Sequence, residues 1–272
     1  MGTTEKKLAE LKGILAEMKS ILVAFSGGVD STFLLRVTRD VLQDKVLAVT
    51  ASSEIQVSHE LEEAKKFASE LGVTHLVVHT GEMDDETFLS NPPLRCYHCK
   101  KMIFSRLKEI AFEKTIPFVV DGTNGDDTRD YRPGMKALRE LGIRSPLQEA
   151  GLTKAEIRSF SQEMGLPTWN RPALACLASR IPYGERITSD KLRRIDRAES
   201  YLRKQGFHQV RVRNHGSVAR IEVSPEQKSK FLDEAFSLMV TQKLKGLGYT
   251  YVALDLEGYR TGSLNETGKK DG

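Results

Sequence analysis

The sequence of 272 residues has only three cysteines, one tryptophan and no long apolar run. No stretch approaches the roughly 18 apolar residues that a membrane-spanning helix needs, which argues against a membrane partner. The first residues are polar and lack the apolar core of a secretory signal, so we expect a cytoplasmic protein. An odd number of cysteines in a reducing compartment argues against a disulfide framework. The three cysteines could therefore bind a metal, take part in redox chemistry or pack in a core.

Net charge is also small, at +4 for pH 7 with a pI near 8.8. This mild excess suits phosphate-bearing small molecules and falls short of the basic stripe of a dedicated nucleic-acid binder. We therefore expect a small-molecule substrate and no nucleic-acid partner. With 39% hydrophobic residues, a chain of this length can bury the cores of one or two domains.

Apolar periodicity alternates between strands and helices along the first two thirds of the chain. It predicts strands at 21–25, 46–50, 73–78, 117–120 and 143–147, and helices at 4–19, 31–43, 57–71, 97–114 and 153–164. Alternation at this pitch predicts an α/β fold built on a parallel sheet. Ligands then belong at the carboxyl ends of the strands.

Prolines and glycines concentrate between residues 166 and 184, which predicts a domain boundary near residue 183. The first domain is then 1–183, and a small C-terminal α/β domain spans 184–260. In the small domain we expect helices at 188–205 and 225–242 and strands at 210–213, 219–223 and 249–254. Residues 261–272 are rich in Gly, Ser, Asn and Lys and predict a disordered tail.

The most informative stretch follows the first predicted strand and reads Ser26-Gly27-Gly28-Val29-Asp30-Ser31. Two glycines permit a tight turn that exposes backbone N–H groups, and the helix that follows adds its dipole. The hydroxyls of Ser26 and Ser31 complete a cradle for phosphate or pyrophosphate. The stretch is neither a Walker A loop nor a dinucleotide-binding fingerprint. An ordinary strand-to-helix turn is the alternative.

A second polar turn, Gly122-Thr123-Asn124-Gly125-Asp126-Asp127, follows the predicted strand at 117–120. If both strands end at one edge of the sheet, Asp126 and Asp127 lie near Asp30. Mg²⁺ binds one or two carboxylates together with phosphate oxygens, so these three side chains are enough for a magnesium site. Turn formation and helix capping are the alternative roles of Asp126 and Asp127. Further on, Thr153-Lys154-Ala155-Glu156 is a capping box.

The cysteines form one C-x-x-C pair, Cys96 and Cys99, and a distant Cys176. At a helix start, the pair places both thiols on one face. All three thiols could converge on one iron–sulfur cluster, leaving one iron without a protein ligand and able to bind an exogenous sulfur. Zinc with His98 as fourth ligand is the competing metal site. Cys176 has apolar flanks and could instead be a small buried hydrophobic residue.

Arg211 and Arg213 alternate along a predicted strand, which puts both guanidinium groups on one face. Two such groups could bind a substrate phosphate or carboxylate bidentately. A solvated strand face is the alternative. Glu199 and Glu222 could supply counter-charges or a further metal carboxylate.

Several of these stretches together resemble the LarE-type sulfur transferases, which belong to the PP-loop ATP pyrophosphatases. The resemblance rests on Ser26 to Ser31, Gly122-Thr123-Asn124 with Asp126 and Asp127, Arg132-Pro133-Gly134, Ser145-Pro146-Leu147 with Glu149, and Pro172 to Gly184. It extends to about residue 260. It implies a PP-loop domain that binds ATP through Ser26, Gly27, Gly28, Asp30, Ser31, Gly122, Thr123 and Asn124.

The resemblance also implies a reaction. In this family ATP adenylates carboxylates of pyridinium-3,5-biscarboxylic acid mononucleotide, and sulfur insertion yields the thiocarboxylates of the nickel-pincer nucleotide used by lactate racemase. Some members sacrifice the sulfur of the cysteine matching Cys176, which becomes dehydroalanine. The additional Cys96 and Cys99 resemble a three-cysteine subgroup in which a [4Fe-4S] cluster carries a sulfide.

By position, the resemblance assigns substrate binding to Arg180, Arg211 and Arg213, and a magnesium role to Glu199. It implies a trimer-based homo-oligomer, usually a hexamer.

Two other kinds of enzyme are alternatives. A tRNA thiolase would also use a PP-loop and three cysteines, whereas an amide-forming ligase would give the cysteines no function. A nucleotide-binding regulator with a structural metal is the non-enzymatic alternative.

Overall fold

The computed structural model describes residues 2–129, 133–172 and 175–260. Its seven strands are β1 (Ile21–Ala24), β2 (Val46–Ser52), β3 (Thr74–His79), β4 (Phe118–Val120), β5 (Val210–His215), β6 (Val218–Val223) and β7 (Tyr251–Leu254). Short 3-10 helices lie at Glu82–Asp84, Gly125–Arg129, Leu177–Arg180 and Pro225–Leu232.

The α-helices of the described residues are α1 (Thr3–Met18), α2 (Val29–Leu42), α3 (Ser58–Glu70), α4 (Glu86–Leu89), α5 (Arg95–Glu113), α6 (Pro133–Glu140), α7 (Pro146–Glu149), α8 (Lys154–Glu163), α9 (Ser189–Lys204) and α10 (Glu234–Gly246). No helix in the described part of the chain is both long and apolar enough to cross a membrane.

The chain packs into two compact units that are interleaved in sequence. The first unit takes in the described residues of Met1–Ser53, Ser58–Glu82 and Leu94–Leu174. The second takes in those of Glu54–Val57, Met83–Pro93 and Ala175–Gly272. The boundary near residue 183 remains a prediction. The predicted tail at 261–272 lies outside the described residues, as do Arg132, Ala173 and Leu174 of the sequence motifs.

In the first unit, four parallel strands form a sheet in the order β3-β2-β1-β4. Leu22 of β1 lies between Leu47 of β2 and Val119 of β4. This sheet and the helices between its strands confirm the predicted α/β fold. All four strands end at one edge, so the loops after β1 and β4 lie side by side.

Each face of this sheet is covered by its own apolar core. Ile21 and Val23 belong to the core formed with α1, α2, α3 and α8, whereas Leu22 packs in the core formed with α5 and α6. Successive strand side chains point to opposite faces, so a strand covered on both sides must be apolar throughout. The loop after β1 therefore follows a strand whose first three residues are fully buried.

The second unit contains a small sheet in the order β5-β6-β7, antiparallel between β5 and β6 and parallel between β6 and β7. Its own core includes side chains from α9, α10 and all three strands. Phe207 lies at the centre, with its ring centroid 5.2 Å from that of Phe231 and 5.8 Å from that of Phe236.

Two predicted elements are wrong. The strand expected at 143–147 is reduced to one parallel bridge between Arg144 and Val120, and α7 begins at Pro146. Proline has no N–H to donate to a strand partner but fits the first turn of a helix. The helix expected at 225–242 is divided into a 3-10 segment and α10. The division is at Asp233, whose carboxylate accepts a 2.7 Å hydrogen bond from the Phe236 N–H.

Candidate active site

The loop between β1 and α2 is held in shape by its two serines. Ser31 Oγ donates to the Gly28 carbonyl at 3.1 Å and lies 3.0 Å from Ser26 Oγ. Because the Ser31 hydroxyl has one proton, Ser26 is the donor between the two hydroxyls. Ser26 Oγ in turn accepts a long hydrogen bond, 3.4 Å, from the Gly28 N–H.

The backbone geometry of the loop explains why both of its glycines are suited to their positions. Gly27 has φ +74°, and a Cβ there would lie 3.3 Å from the Ala64 side chain. Gly28 is the N-cap of α2. The first turn of a helix leaves backbone N–H groups without carbonyl partners inside the helix, and the dipole makes that end positive. The loop is thus shaped to hold an anion, and binding of ATP phosphates by Ser26 to Ser31 stays a prediction.

The turn after β4 lies against this loop. A Cβ on Gly122 would lie 3.0 Å from the backbone nitrogen of Ser31, so glycine permits this close approach. Asn124 Nδ2 contacts Asp30 Oδ1 at 3.4 Å. Thr123 points to the strand end instead, where its hydroxyl donates to Asp121 at 2.5 Å. The two polar turns therefore meet at one edge of the sheet.

Asp30 forms an ion pair that the sequence did not reveal. Lys154 Nζ, from the first turn of α8, lies 2.5 Å from Asp30 Oδ2. Burial raises the pKa of the Asp30 carboxyl, and Lys154 opposes this rise. The sequence identified Lys154 only as part of a capping box. A positive charge in the first turn of a helix is repelled by the positive end of the helix dipole. A lysine at this position was therefore the available signal that the side chain has a negatively charged partner.

Asp126 and Asp127 both take part in local capping. Asp126 Oδ2 accepts from the Lys154 backbone N–H at 2.8 Å, and Asp127 Oδ2 accepts from the Asn124 N–H at 3.0 Å. Asp127 is also near enough to raise the pKa of Asp30. Within the described ranges, no group of three His, Cys, Asp or Glu side chains is placed to hold a metal ion.

A magnesium site would therefore have to rest on two carboxylates. Asp30 and Asp127 fit Mg²⁺, because this ion commonly takes one or two carboxylates and completes its shell with phosphate oxygens and water. Asp126 and Asp127 each also accept a hydrogen bond from a backbone N–H. The magnesium assignments of all three carboxylates remain predictions.

A cavity of ≈ 330 Å³ is lined by Gly27 and by side chains of α3 and of residues 167–171. Its charged members are Glu63, Lys66, Glu70 and Arg171. The Arg171 guanidinium lies 2.9 Å from Glu63 and makes a long contact, 3.4 Å, with the Gly27 carbonyl. Arg171 thus ties the loop to α3.

The C-x-x-C pair lies in the first turn of α5, in the first unit. Cys96 is exposed and Cys99 is partly buried. Cys176 belongs to the second unit, where it is partly buried and precedes the 3-10 helix Leu177–Arg180. Convergence of the three thiols on one cluster remains a prediction, as does the zinc alternative with His98.

The second unit contains a buried arginine cluster next to Cys176. Arg180, 1% exposed, pairs with Glu199 at 2.8 Å and donates to the carbonyls of Ala175 and Cys176 at 2.5 and 2.9 Å. It thereby fixes the backbone that carries Cys176. Burial alone would raise the pKa of the Glu199 carboxyl, but the surrounding arginines, Arg180 first, more than offset it and lower the pKa.

Glu199 has no oxygen lone pair left for a metal ion. Oε1 accepts from Arg180 Nε and from the Val212 N–H, and Oε2 accepts from Arg180 Nη2 and Arg203 Nη2. These four hydrogen bonds argue against a magnesium role for Glu199, which remains an untested prediction. The proposed magnesium site does not include Glu199.

Arg211 and Arg213 share one face of β5, as expected, and both are 7% exposed. A solvated strand face is therefore excluded. Arg213 pairs bidentately with Glu222, at 2.9 Å to each oxygen, whereas Arg211 lies 5.3 Å from the Tyr259 ring. Burial and the neighbouring Arg180 lower the pKa of the Arg211 guanidinium. This crowding of positive charge favours an anionic ligand, although substrate binding remains a prediction.

Comparisons with known proteins identify the family of the chain. The family model of the PP-loop domain matches residues 2–83. A protein of Lactiplantibacillus plantarum named pyridinium-3,5-bisthiocarboxylic acid mononucleotide synthase is 42% identical over 268 residues, covering 98% of this chain and 96% of its own. An uncharacterised protein of Synechocystis is 46% identical, covering 96% and 97%. Another, from Methanocaldococcus jannaschii, is 31% identical, covering 94% and 98%. The chain therefore belongs to the LarE-type sulfur transferases of the PP-loop ATP pyrophosphatase superfamily.

Proposed function

We propose that this protein uses ATP to adenylate carboxylates of pyridinium-3,5-biscarboxylic acid mononucleotide and then inserts sulfur, forming thiocarboxylates for the nickel-pincer nucleotide. The observation that carries the proposal is the 42% identity to the Lactiplantibacillus synthase along nearly the whole of both chains. The loop between β1 and α2, with its helix N-terminus, supports the use of ATP, and the buried arginines support a substrate with a phosphate group.

Adenylation solves the chemical problem of the reaction. A carboxylate oxygen is a poor leaving group, whereas AMP is a good one. In the proposed step, a substrate carboxylate attacks the α phosphate of ATP, and pyrophosphate leaves from the cradle at Ser26 to Ser31. Asp30 and Asp127 would hold magnesium, which when bound neutralises phosphate charge.

The mononucleotide phosphate is assigned to the arginine cluster. Arg211 and Arg213 would bind its oxygens, and Arg180 fixes the chain beside Cys176. Arg211 supports this role best, because its charge is buried and flanked by Arg180. A dianionic phosphate would offset the excess positive charge of the cluster.

Cys96, Cys99 and Cys176 are the proposed ligands of a [4Fe-4S] cluster. The exposed thiol of Cys96, one helical turn from Cys99, fits a metal pair. When bound, such a cluster supplies sulfide as the nucleophile that replaces AMP. In the alternative source, Cys176 gives up its own sulfur. A homo-oligomer built on trimers is part of the proposal, and light scattering would measure it.

The direct test is pyrophosphate release from ATP. We expect release that depends on the pyridinium mononucleotide and not on tRNA, followed by thiocarboxylate formed in the same mixture. Release stimulated by tRNA with a matching gel shift would identify a tRNA thiolase instead. No release with either substrate would overturn the proposed enzyme.

The sulfur source needs a separate experiment. Protein purified without oxygen should show an iron–sulfur spectrum and bound iron and sulfide, and Cys96→Ala should lose them. A wild-type protein without iron, or a Cys96→Ala variant that keeps the cluster, would contradict the cluster. Sacrifice of Cys176 would instead limit each chain to one turnover and remove about 34 Da as hydrogen sulfide.

A further inference from the structure

Arg171 joins the loop after β1 to helix α3 through its guanidinium group. Nη2 lies 2.9 Å from Glu63 Oε1, and Nη1 donates to the Gly27 carbonyl at 3.4 Å. The Arg171 backbone is itself held by Arg158, whose guanidinium donates to the carbonyls of Trp169 and Arg171 at 2.7 and 2.5 Å. A charged donor with a fixed attachment point therefore lies at the Gly27 carbonyl.

This contact sets the direction of the peptide between Gly27 and Gly28. In a trans peptide the carbonyl oxygen and the N–H that follows it point in opposite directions. The Gly27 carbonyl is turned to Arg171, so the Gly28 N–H is turned the other way. There it donates to Ser26 Oγ at 3.4 Å, beside the Ser31 hydroxyl. The positive end of this peptide dipole thus faces the proposed phosphate site.

The two glycines leave the opposite direction of this peptide open. Turning a peptide over changes ψ of the residue before it and φ of the residue after it by about 180° each. Gly28 has φ −76°, so the reversed peptide needs a positive φ there, which glycine adopts about as readily as a negative one. In the reversed peptide the Gly27 carbonyl oxygen would face the serines and repel a phosphate. A contact from outside the loop must therefore select the direction that attracts an anion.

We propose that Arg171 is a positioning residue for phosphate binding. By holding the Gly27 carbonyl away from the serines, it keeps the Gly28 N–H directed at the phosphates of ATP. This inference rests on the proposed use of ATP. Arg171 itself is bound to Glu63 and takes no part in the bonds that form and break. Its contribution is to favour one direction of a peptide that glycine would otherwise allow to turn.

The test compares Arg171→Met with the wild type, both as full chains, and uses inorganic pyrophosphate with Mg²⁺ as the probe of the loop. Calorimetric titration should show binding about fivefold weaker in Arg171→Met, because one hydrogen bond that orders the site is lost. In the pyrophosphate-release assay, KM for ATP should rise by a similar factor, and KM for the pyridinium mononucleotide should not change. Arg171→Lys should keep most of the affinity, because an ammonium group also donates to a carbonyl oxygen.

Lys66→Met is the matched control for charge. Lys66 lines the same cavity as Gly27 and Arg171, and its side chain is 78% exposed and pairs with Glu70. The variant removes one positive charge beside the loop but leaves the contact of Arg171 with the Gly27 carbonyl in place. It should therefore bind pyrophosphate as the wild type does.

Three results would show that the inference is wrong. Arg171→Met could bind pyrophosphate as the wild type does, or Lys66→Met could lose as much affinity as Arg171→Met. Arg171→Met could also raise both KM values and lower the melting temperature, as a merely structural role would. A wild type that binds neither pyrophosphate nor ATP would instead overturn the proposed function.

Discussion

At the scale of the single residue, the close approach of Gly122 to the backbone of Ser31 favours glycine at position 122. A methyl group there would lie 3.0 and 3.3 Å from the backbone of Ser31, which cannot yield as a flexible side chain could. We expect Gly122→Ala to cost about 1–3 kcal/mol of stability and to weaken ATP binding by displacing the loop. Denaturant unfolding and nucleotide titration would measure the two effects.

Gly13 provides the control for that substitution. It lies exposed within α1, and a Cβ there would meet no atom within 4 Å. Gly13→Ala should therefore stabilise the protein by about 0.5–1 kcal/mol, as expected in a helix interior. Equal stability losses in the two variants would show that the contact with Ser31 is not what requires glycine at position 122.

The residues of the site differ in how readily the sequence reveals them. Ser26 to Ser31 could be recognised because strand, turn and helix are contiguous. The approach of the turn after β4 to the Ser26 to Ser31 loop followed from parallel strands that end at one edge. Lys154 could not be paired with Asp30, because 124 residues separate them. No local pattern links a capping box to a distant carboxylate.

At the scale of the element, α8 is attached to α1 through a carboxylate with a strongly shifted pKa. Burial alone would raise the pKa of Glu156, but Lys7 and the Thr153 backbone and hydroxyl more than reverse this and lower it to about 2. A carboxyl whose folded pKa is lowered stabilises the fold above its ordinary pKa of 4.5 and loses that contribution as pH falls towards 2.

We therefore expect Glu156→Gln to be less stable than the wild type at pH 7, by about 1 kcal/mol. The difference should shrink between pH 4.5 and pH 2, where the wild type takes up the proton. Urea unfolding across this range measures it. A difference that stays constant down to pH 2 would show that the charge of Glu156 contributes nothing.

The sequence predicted helices and strands correctly where the apolar periodicity was long. The prediction failed where the backbone requirement of one residue overrode the periodicity. The four sheet strands and α1, α2, α3, α5 and α8 appear near their expected positions. Pro146 converted a predicted strand into a helix start, and Asp233 divided a predicted helix in two. In both cases a local backbone requirement overrode a correct apolar pattern.

At the scale of the whole molecule, the two units are interleaved in sequence. Within the second unit, the buried Asn91 side chain donates to the carbonyls of Ile181, Pro182 and Glu185. The Leu89 carbonyl likewise accepts from the Ile187 N–H at 2.9 Å. Short inserted segments of this kind have no periodicity of their own, so apolar patterning does not reveal them, and the boundary near residue 183 remains a prediction.

A fragment ending at residue 183 tests that prediction. It keeps Leu89 and Asn91 but removes Glu185 and Ile187, so we expect a lower melting temperature and binding of a dye specific for exposed apolar surface. The control is a chain ending at residue 260. A fragment 1–183 that melts like the longer chain and binds no dye would establish the boundary near 183.

Interleaving also has a consequence for synthesis on the ribosome. Asn91 emerges 94 residues before Glu185, whose carbonyl it binds. At about 5–20 residues per second, this segment waits roughly 5–20 s for its partner. The parallel sheet and the loop after β1 can assemble during that interval, whereas the unit that carries Cys176 cannot close until the second half of the chain has been made.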